Sequence, residues 1–190
     1  MPAEVYSVDD YNFFPQDEVH FDTNVLVDIY LSDLDIFERR RERVKAYSRC
    51  LDNVIRSKSG IVISPYVTAE FMRLFVAEKF RVRSRPFEHM TRKEYRDTDM
   101  GKKDAEEAGM YLKDFLDIAT RSFKKTPDLQ SLKSLVQNYA GGVGLEANDS
   151  LIAEGCLSED LILVTEDRDF NSVDGLLVVT ANRRWLDEAS

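Results

Sequence analysis

The sequence predicts an α/β protein, a three-layer α/β/α sandwich whose central, mainly parallel sheet carries helices on both faces. Apolar segments at 18–23, 60–63, 161–165 and 176–179 have the length and composition of buried strands. Helical segments separate them, and this alternation is typical of parallel sheets. A chain of 190 residues is long enough to form one domain with a sizeable core.

The first half of the chain follows this pattern element by element. Residues 1–17, rich in acidic and aromatic side chains, are predicted to form an N-terminal extension ahead of the first strand, and residues 18–190 the domain. A short apolar helix at 25–31 and a longer amphipathic helix at about 34–58 follow. Ser64 followed by Pro65 predicts the next helix start, since Ser caps helices and Pro suits their first position.

The second half contains the longer helical segments. A polar segment at about 81–104 is predicted to be a partly helical insertion. Amphipathic helices are expected at 102–124, from 126 to about 139, and from 148 to about 158. In the tail, Trp185 is expected to be an apolar anchor.

Composition excludes several classes of protein. The chain has no apolar run of the ~20 residues that a transmembrane helix needs, and its N-terminus lacks a secretory signal pattern. A cytoplasmic protein without a membrane partner is therefore expected. Cys50 and Cys156 are far apart and are predicted to be reduced, buried thiols. His20 and His89 are too few and too separated for a histidine-based zinc site.

Charge is distributed unevenly along the chain. The net charge is −9, which by itself argues against a nucleic-acid partner. However, residues 39–103 hold 18 of the 26 Lys and Arg but only 8 of the 35 Asp and Glu, so this basic block is +10 and the remainder −19. Local patches attract phosphate more than the total charge does, although a solvated helix face also explains such a block.

Acidic residues follow two of the predicted strands. Asp22 ends the first strand, Asp167 follows the strand at 161–165, and Asp149 opens the helix before that strand. Functional groups gather at the carboxyl ends of strands in open parallel sheets. Carboxylates converging there repel one another unless a cation neutralises them, and Mg²⁺ or Mn²⁺ prefers such oxygen ligands.

Each acid also has an ordinary structural explanation when it is taken alone. Asp22 and Asp149 could cap helices, and Asp167 with Asp169 could form a turn. Glu70 could be a surface residue of its helix, although the strand ending at residue 64 delivers it to the same sheet edge. The combination of four acids at one edge favours a site over four separate structural roles.

Four motifs in this order resemble those of PIN-domain ribonucleases, and among them the small VapC toxins of toxin–antitoxin pairs. They are Phe-Asp-Thr-Asn-Val-Leu-Val-Asp at 21–28, Val-Thr-Ala-Glu-Phe at 67–71, Ala-Asn-Asp-Ser-Leu-Ile-Ala at 147–153 and Leu-Val-Thr-Glu-Asp-Arg-Asp-Phe at 163–170. The resemblance spans about residues 18–180 and implies a PIN-like fold.

The resemblance also implies an activity and a site. It implies an endoribonuclease that hydrolyses RNA phosphodiester bonds with a water activated by one or two Mg²⁺ or Mn²⁺ ions. The implied catalytic acids are Asp22, Glu70, Asp149 and Asp167; the implied metal ligands are Asp22, Asp149, Asp167 and Asp169; the implied polar supports are Asn24 and Thr165.

Partners follow from the same resemblance. RNA is the expected substrate, an antitoxin protein a possible partner, and a homodimer the expected assembly. The basic block would hold the RNA backbone, with Arg39, Arg40, Arg43, Arg81, Arg83 and Arg85 as first candidates. The chain departs from the compact toxins in its N-terminal extension and in the 79-residue gap between Glu70 and Asp149.

Two other functions are compatible with the sequence. A catalytically silent PIN-like module would bind RNA or protein through the basic block, but it would not need four mutually repelling acids. An acid-rich phosphatase with an aspartyl nucleophile typically has a second Asp two residues after the first, where this chain has Asn24.

Overall fold

A computed structural model describes residues 3–31, 38–83, 87, 89–130, 132–133, 136 and 145–189. Its six-stranded sheet has the order β1-β6-β5-β2-β3-β4, and all neighbouring strands are parallel. Helices flank the sheet, which confirms the predicted three-layer α/β/α class. The strands are β1 (Glu4–Ser7), β2 (Glu18–Phe21), β3 (Gly60–Ile63), β4 (Arg121–Ser122), β5 (Ile162–Val164) and β6 (Leu177–Thr180).

The helices lie between strands and after the last one. They are α1 (Thr23–Tyr30), α2 (Glu38–Ser57), α3 (Pro65–Val82), α4 (Arg92–Asp97), α5 (Asp99–Ile118), α6 (Ala147–Glu159) and α7 (Arg183–Ala189), with a 3₁₀ turn at Arg168–Ser172. Ser64 caps α3 as predicted, because its hydroxyl accepts a hydrogen bond from the Val67 N–H at 3.1 Å. No described helix is long and apolar enough to span a membrane.

The two central strands bring the predicted site together. β2 lies beside β5, with Phe21 in register with Val164, and both strands are buried. Since the strands are parallel, their carboxyl ends meet at one edge of the sheet. Asp22 directly follows β2 and Thr165 directly follows β5, so these two side chains become neighbours.

The N-terminal extension contributes an edge strand. Residues 4–7 form β1, which pairs in parallel with β6 over the register Glu4–Leu177 to Ser7–Thr180. The first strand of the sheet in chain order is therefore β1, ahead of the strand that the sequence predicted as first. Its residues alternate between exposed and half-buried, so no apolar run signals it.

The middle of the chain also differs in detail from the prediction. The helix expected at 102–124 ends at Ile118, and the chain turns into the two-residue edge strand β4. Arg121 holds this strand through ion pairs with Glu18 of β2 and Glu159 of α6, both at 2.5 Å. The helix expected from 126 to about 139 lies largely outside the described residues.

The burial of Trp185 and of both cysteines agrees with the sequence predictions. Trp185 is 1% exposed and anchors α7. Cys50 and Cys156 are both free and buried, and burial raises the pKa of the Cys50 thiol to about 12. His20 is fully buried, its Nδ1 lies 2.8 Å from the Val62 carbonyl oxygen, and burial lowers its pKa to about 4.

Candidate active site

Asp22 is the most firmly held acid at the sheet edge. It caps α1, and its Oδ1 accepts a hydrogen bond from the Thr23 N–H at 2.6 Å. Its Oδ2 accepts from the Thr165 hydroxyl at 2.7 Å and from the Asn24 amide at 2.8 Å. The structure therefore places Asn24 and Thr165 where they orient Asp22, as supporting polar groups would.

The environment of Asp22 opposes its negative charge. The residue is only 3% exposed, and burial raises its pKa to about 6. The hydrogen bonds from Thr165 and Thr23 lower the pKa, whereas the charges of Asp167 and Glu70 raise it further. Burial outweighs the hydrogen bonds, so the carboxylate is held in an environment that favours a compensating positive charge.

Glu70 reaches the same edge from α3. Its Oε2 accepts a hydrogen bond from the Thr23 hydroxyl at 3.2 Å, next to the Asp22 backbone. Its Oε1 pairs with Arg73 on the following turn at 3.0 Å, and its side chain is 17% exposed. Glu70 is therefore part of the acidic site and not a free surface residue of the helix.

Asp149 lies in the first turn of α6 and is half-buried. Burial raises its pKa to about 7, and repulsion by Asp22, Asp167 and Glu70 adds to that rise. Glu146, which the sequence did not single out, contributes further repulsion. Four acids from four separate elements thus act on one another electrostatically at one edge of the sheet.

Asp167 and Asp169 have different settings. Asp167 begins the 3₁₀ turn, its N–H donates to the Thr165 hydroxyl at 3.0 Å, and its Oδ1 accepts from the Asp169 N–H at 2.9 Å. It is half-buried beside Asp22, whereas Asp169 is exposed. The turn thus holds the Asp167 carboxylate through the Asp169 backbone.

The acids do not form a closed metal cage. Across the described part of the chain, no three His, Cys, Asp or Glu side chains are arranged to hold a metal ion. Carboxylates that repel one another are expected to stay apart unless a cation or a proton offsets the repulsion. The donors are nevertheless all oxygens, which suits a hard divalent cation.

A family comparison agrees with this geometry. The model of the PIN domain family matches residues 19–176. The chain belongs to the PIN domain family. The match begins after β1 and contains all four acids, so the N-terminal strand lies outside it.

Two solved structures resemble this PIN domain. The crystal structure of VapBC2 from Rickettsia felis, bound to a DNA fragment from their promoter, has 18% identity and a TM-score of 0.53, over 86% of this chain and 98% of that one. The crystal structure of FitAcB from Neisseria gonorrhoeae has 21% identity and a TM-score of 0.46, and the match covers 85% of this chain and 96% of that one. No curated protein matches the chain.

Glu166 of the PIN domain lies directly behind the acids and was not predicted. Its Oε2 accepts a hydrogen bond from the buried Tyr47 hydroxyl at 2.6 Å, and its N–H donates to the Asn24 side chain at 3.4 Å. The Tyr47 oxygen also accepts from the Ala181 N–H at 3.0 Å. These contacts connect the loop that carries Thr165 to α1, α2 and the end of β6.

Arg40 and Arg43 of α2 pair with carboxylates inside the protein. Arg40 contacts the buried Asp28 at 2.9 Å and Glu78 at 3.0 Å. Arg43 contacts Asp28 at 2.6 Å and Glu166 at 3.3 Å. Both side chains therefore stabilise the elements beside the acidic site, and their positive charges are largely neutralised by these ion pairs.

The other arginines proposed to contact RNA are scattered. Arg81 is 62% exposed and pairs with Glu78 at 2.7 Å, and Arg83 pairs with the buried Asp104 at 2.6 Å. Arg85 and the side chain of Arg39 lie outside the described residues. An RNA contact by any member of this set stays a prediction.

Proposed function

We propose that this PIN domain is an endoribonuclease that depends on Mg²⁺ or Mn²⁺ and hydrolyses RNA phosphodiester bonds with water. One observation carries the proposal: four carboxylates, from Asp22, Glu70, Asp149 and Asp167, lie at the carboxyl edge of the sheet, close enough for Asp22, Asp167 and Glu70 to repel Asp149. Holding like charges together costs stability, so a function that uses them is the simplest reason for their convergence.

The residues suit a divalent cation by chemistry. Asp22, Asp149 and Asp167 would hold one or two ions, with Asp169 at the margin. When bound, such an ion supplies charge neutralisation at the phosphodiester and lowers the pKa of a water molecule. The raised pKa values of Asp22 and Asp149 support this assignment, because a cation would offset the repulsion that contributes to them.

The protein's own groups supply orientation. Thr165 and Asn24 fix the Asp22 carboxylate, and Thr23 fixes Glu70. These hydrogen bonds set the direction of the carboxylate oxygens before substrate arrives, and such preorganisation is worth a large part of catalysis. Cys156 is buried, which favours water over a covalent thiol nucleophile.

Substitution of the acids tests the proposal. Asp22→Asn and Asp149→Asn should each abolish Mn²⁺-dependent cleavage of single-stranded RNA while circular dichroism shows an unchanged fold. The exposed Asp52→Asn removes the same charge from α2 and should cleave as the parent does. Unimpaired cleavage by both site variants would show that the assignment is wrong.

The biological role that we propose is the toxin of a toxin–antitoxin pair. The shared fold with the VapBC2 structure from Rickettsia felis supports it. A basic side chain of the antitoxin, most simply Arg, would enter the acidic site and replace the cation's charge. We propose a homodimer as its assembly. Co-expression with the product of a small neighbouring gene should suppress cleavage, and unchanged cleavage would remove the toxin proposal.

A silent binding module is the second candidate, because the described acids do not form a closed metal cage. Calorimetry separates the two proposals. The nuclease should take up Mn²⁺ and lose that uptake in Asp149→Asn, whereas the silent module should show no Mn²⁺ binding in either protein.

A further inference from the structure

A groove with a basic rim lies between α3 and α4. Its volume is about 340 Å³, enough for one or two side chains. Val76, Ala77 and Phe80 of α3 form its apolar floor, and Tyr95 closes it from α4 with its ring 4.8 Å from that of Phe80. An apolar recess that stays open between two helices is typical of a docking site.

Four cations surround this floor. Arg73, Arg92, Lys93 and Arg96 line the groove, all four are exposed, and no carboxylate is among its described lining residues. Arg92, Lys93 and Arg96 have no ion-pair partner within the described ranges. The groove therefore presents three cations without an ion-pair partner among the described residues, whereas Arg40 and Arg43 are paired near the acids.

We propose that this groove docks an acidic segment of a partner protein, with one large apolar side chain seated on the floor and carboxylates on either side of it. Charge complementarity selects the carboxylates, because a cluster of exposed cations repels a basic partner. The apolar floor selects the anchor, since burial of one large apolar side chain supplies the central contact that such interfaces need.

The floor of the groove favours protein over RNA. The donors Arg73, Arg92 and Arg96 suit phosphates and guanine edges as well as carboxylates, so the apolar floor, and not the cations, decides between the two partners. Stacking of a base needs a free aromatic face, and the rings of Phe80 and Tyr95 already contact each other. An aliphatic or aromatic side chain beside carboxylates satisfies this groove more completely.

Docking is connected to the acidic site through Arg73. This side chain lines the groove and also pairs with Glu70 at 3.0 Å. A partner carboxylate that competes for Arg73 would release Glu70 and increase the unneutralised negative charge among the acids. The docking surface itself goes beyond the proposed nuclease; only this effect on cleavage depends on that proposal.

Selection from a library of short random peptides tests the groove. Peptides that bind the parent chain are selected and then screened against the double variant R92E/R96E. The enriched sequences should place Asp or Glu on both sides of a large apolar residue. A synthetic enriched peptide should lose about tenfold in affinity on R92E/R96E by fluorescence anisotropy. The matched control R56E/K113E makes the same charge change on exposed helix positions outside the groove, and its affinity should stay within a factor of about two.

The outcomes separate this surface from the catalytic proposal, since peptide binding is measured without turnover. Enrichment without acidic residues, or equal binding to both double variants, would overturn the docking site. If R92E/R96E instead loses affinity for single-stranded RNA and the control does not, the groove belongs to RNA and the proposal is wrong. An inactive nuclease that still binds the peptide would reject the proposed function and leave the docking site supported.

Discussion

The substitution Asp149→Asn should stabilise the metal-free protein at neutral and higher pH. Burial and the neighbouring acids raise the pKa of Asp149 from its ordinary value of 3.8 to about 7. Charging this group therefore costs the folded state free energy that the unfolded chain does not lose. Asn keeps the shape of the side chain and removes the charge.

The size of the effect follows from the pKa difference. At about 1.4 kcal/mol per pKa unit, the rise from 3.8 to about 7 corresponds to about 4 kcal/mol for a fully buried carboxyl. Asp149 is only half-buried, and solvent screening reduces the gain to about 1–2 kcal/mol. Its position in the first turn of α6 opposes the gain by about 0.5 kcal/mol, because a helix N-terminus favours a negative charge. A net gain of about 1 kcal/mol remains.

The stability advantage of Asp149→Asn over the parent should increase as the pH rises. Below the ordinary pKa of 3.8 the carboxyl is protonated in both states, so the substitution has no electrostatic effect. Between 3.8 and about 7 the unfolded chain has released a proton that the folded protein keeps, so the parent loses stability as pH rises. The advantage of Asp149→Asn should therefore grow through this window and level off above it.

Denaturant unfolding in the presence of EDTA measures the effect. Urea unfolding is measured at several pH values between 3.8 and about 7, and above this window, for the parent, for Asp149→Asn and for the exposed Asp52→Asn. The free energies of unfolding in water are then compared, with one common dependence on urea concentration for all three proteins. Asp52→Asn corrects for the change in net charge. A variant Asp149→Asn that is no more stable than Asp52→Asn above neutral pH, or a gain that does not vary with pH, would refute the reasoning.

Three further substitutions test the packing around the site. Tyr47→Phe removes the 2.6 Å hydrogen bond from the buried Tyr47 hydroxyl to Glu166 and should cost about 1–3 kcal/mol in urea unfolding while lowering the cleavage rate at saturating RNA. Gly155→Ala places a methyl group 2.2 Å from the Phe123 ring, so a cost of about 1–3 kcal/mol is expected unless that ring moves. Trp185→Ala empties a fully buried position and should cost about 3–5 kcal/mol, which thermal unfolding would show as a marked fall in Tm.

The central part of the fold was predictable because its strands are buried on both faces. β3 and β5 consist of apolar runs, β2 buries Val19 and Phe21 around His20, and a parallel sheet aligns the carboxyl ends of all three. The edge strands have no such run. β1 is four residues long and β4 is two residues long, and both are partly exposed. Their positions depend on pairings between distant residues, which local sequence patterns do not encode.

The position of the acids at the sheet edge was predictable, but the hydrogen-bond network behind them was not. Asp22 directly follows β2 and Asp167 lies three positions after the last residue of β5, so the sequence predicted both at the edge. Glu166 looked like any surface acid beside them, and only the fold shows Tyr47 beneath it, 119 positions earlier in the chain. The sequence also did not show that the fold pairs Arg43 with Asp28 and Glu166.

The response to Mn²⁺ connects the stability of the acidic site to its function. If the acids hold a cation, Mn²⁺ at a hundredfold excess over its dissociation constant should stabilise the parent by about 2.7 kcal/mol, because it binds the folded state alone. Asp149→Asn lacks one metal ligand, so Mn²⁺ should stabilise it much less. The stability advantage of this variant over the parent, expected in EDTA, should therefore shrink or reverse in Mn²⁺. If Mn²⁺ leaves the parent unchanged while Asp149→Asn keeps its advantage, the acids repel one another without holding a metal. That result would favour the silent binding module over the nuclease.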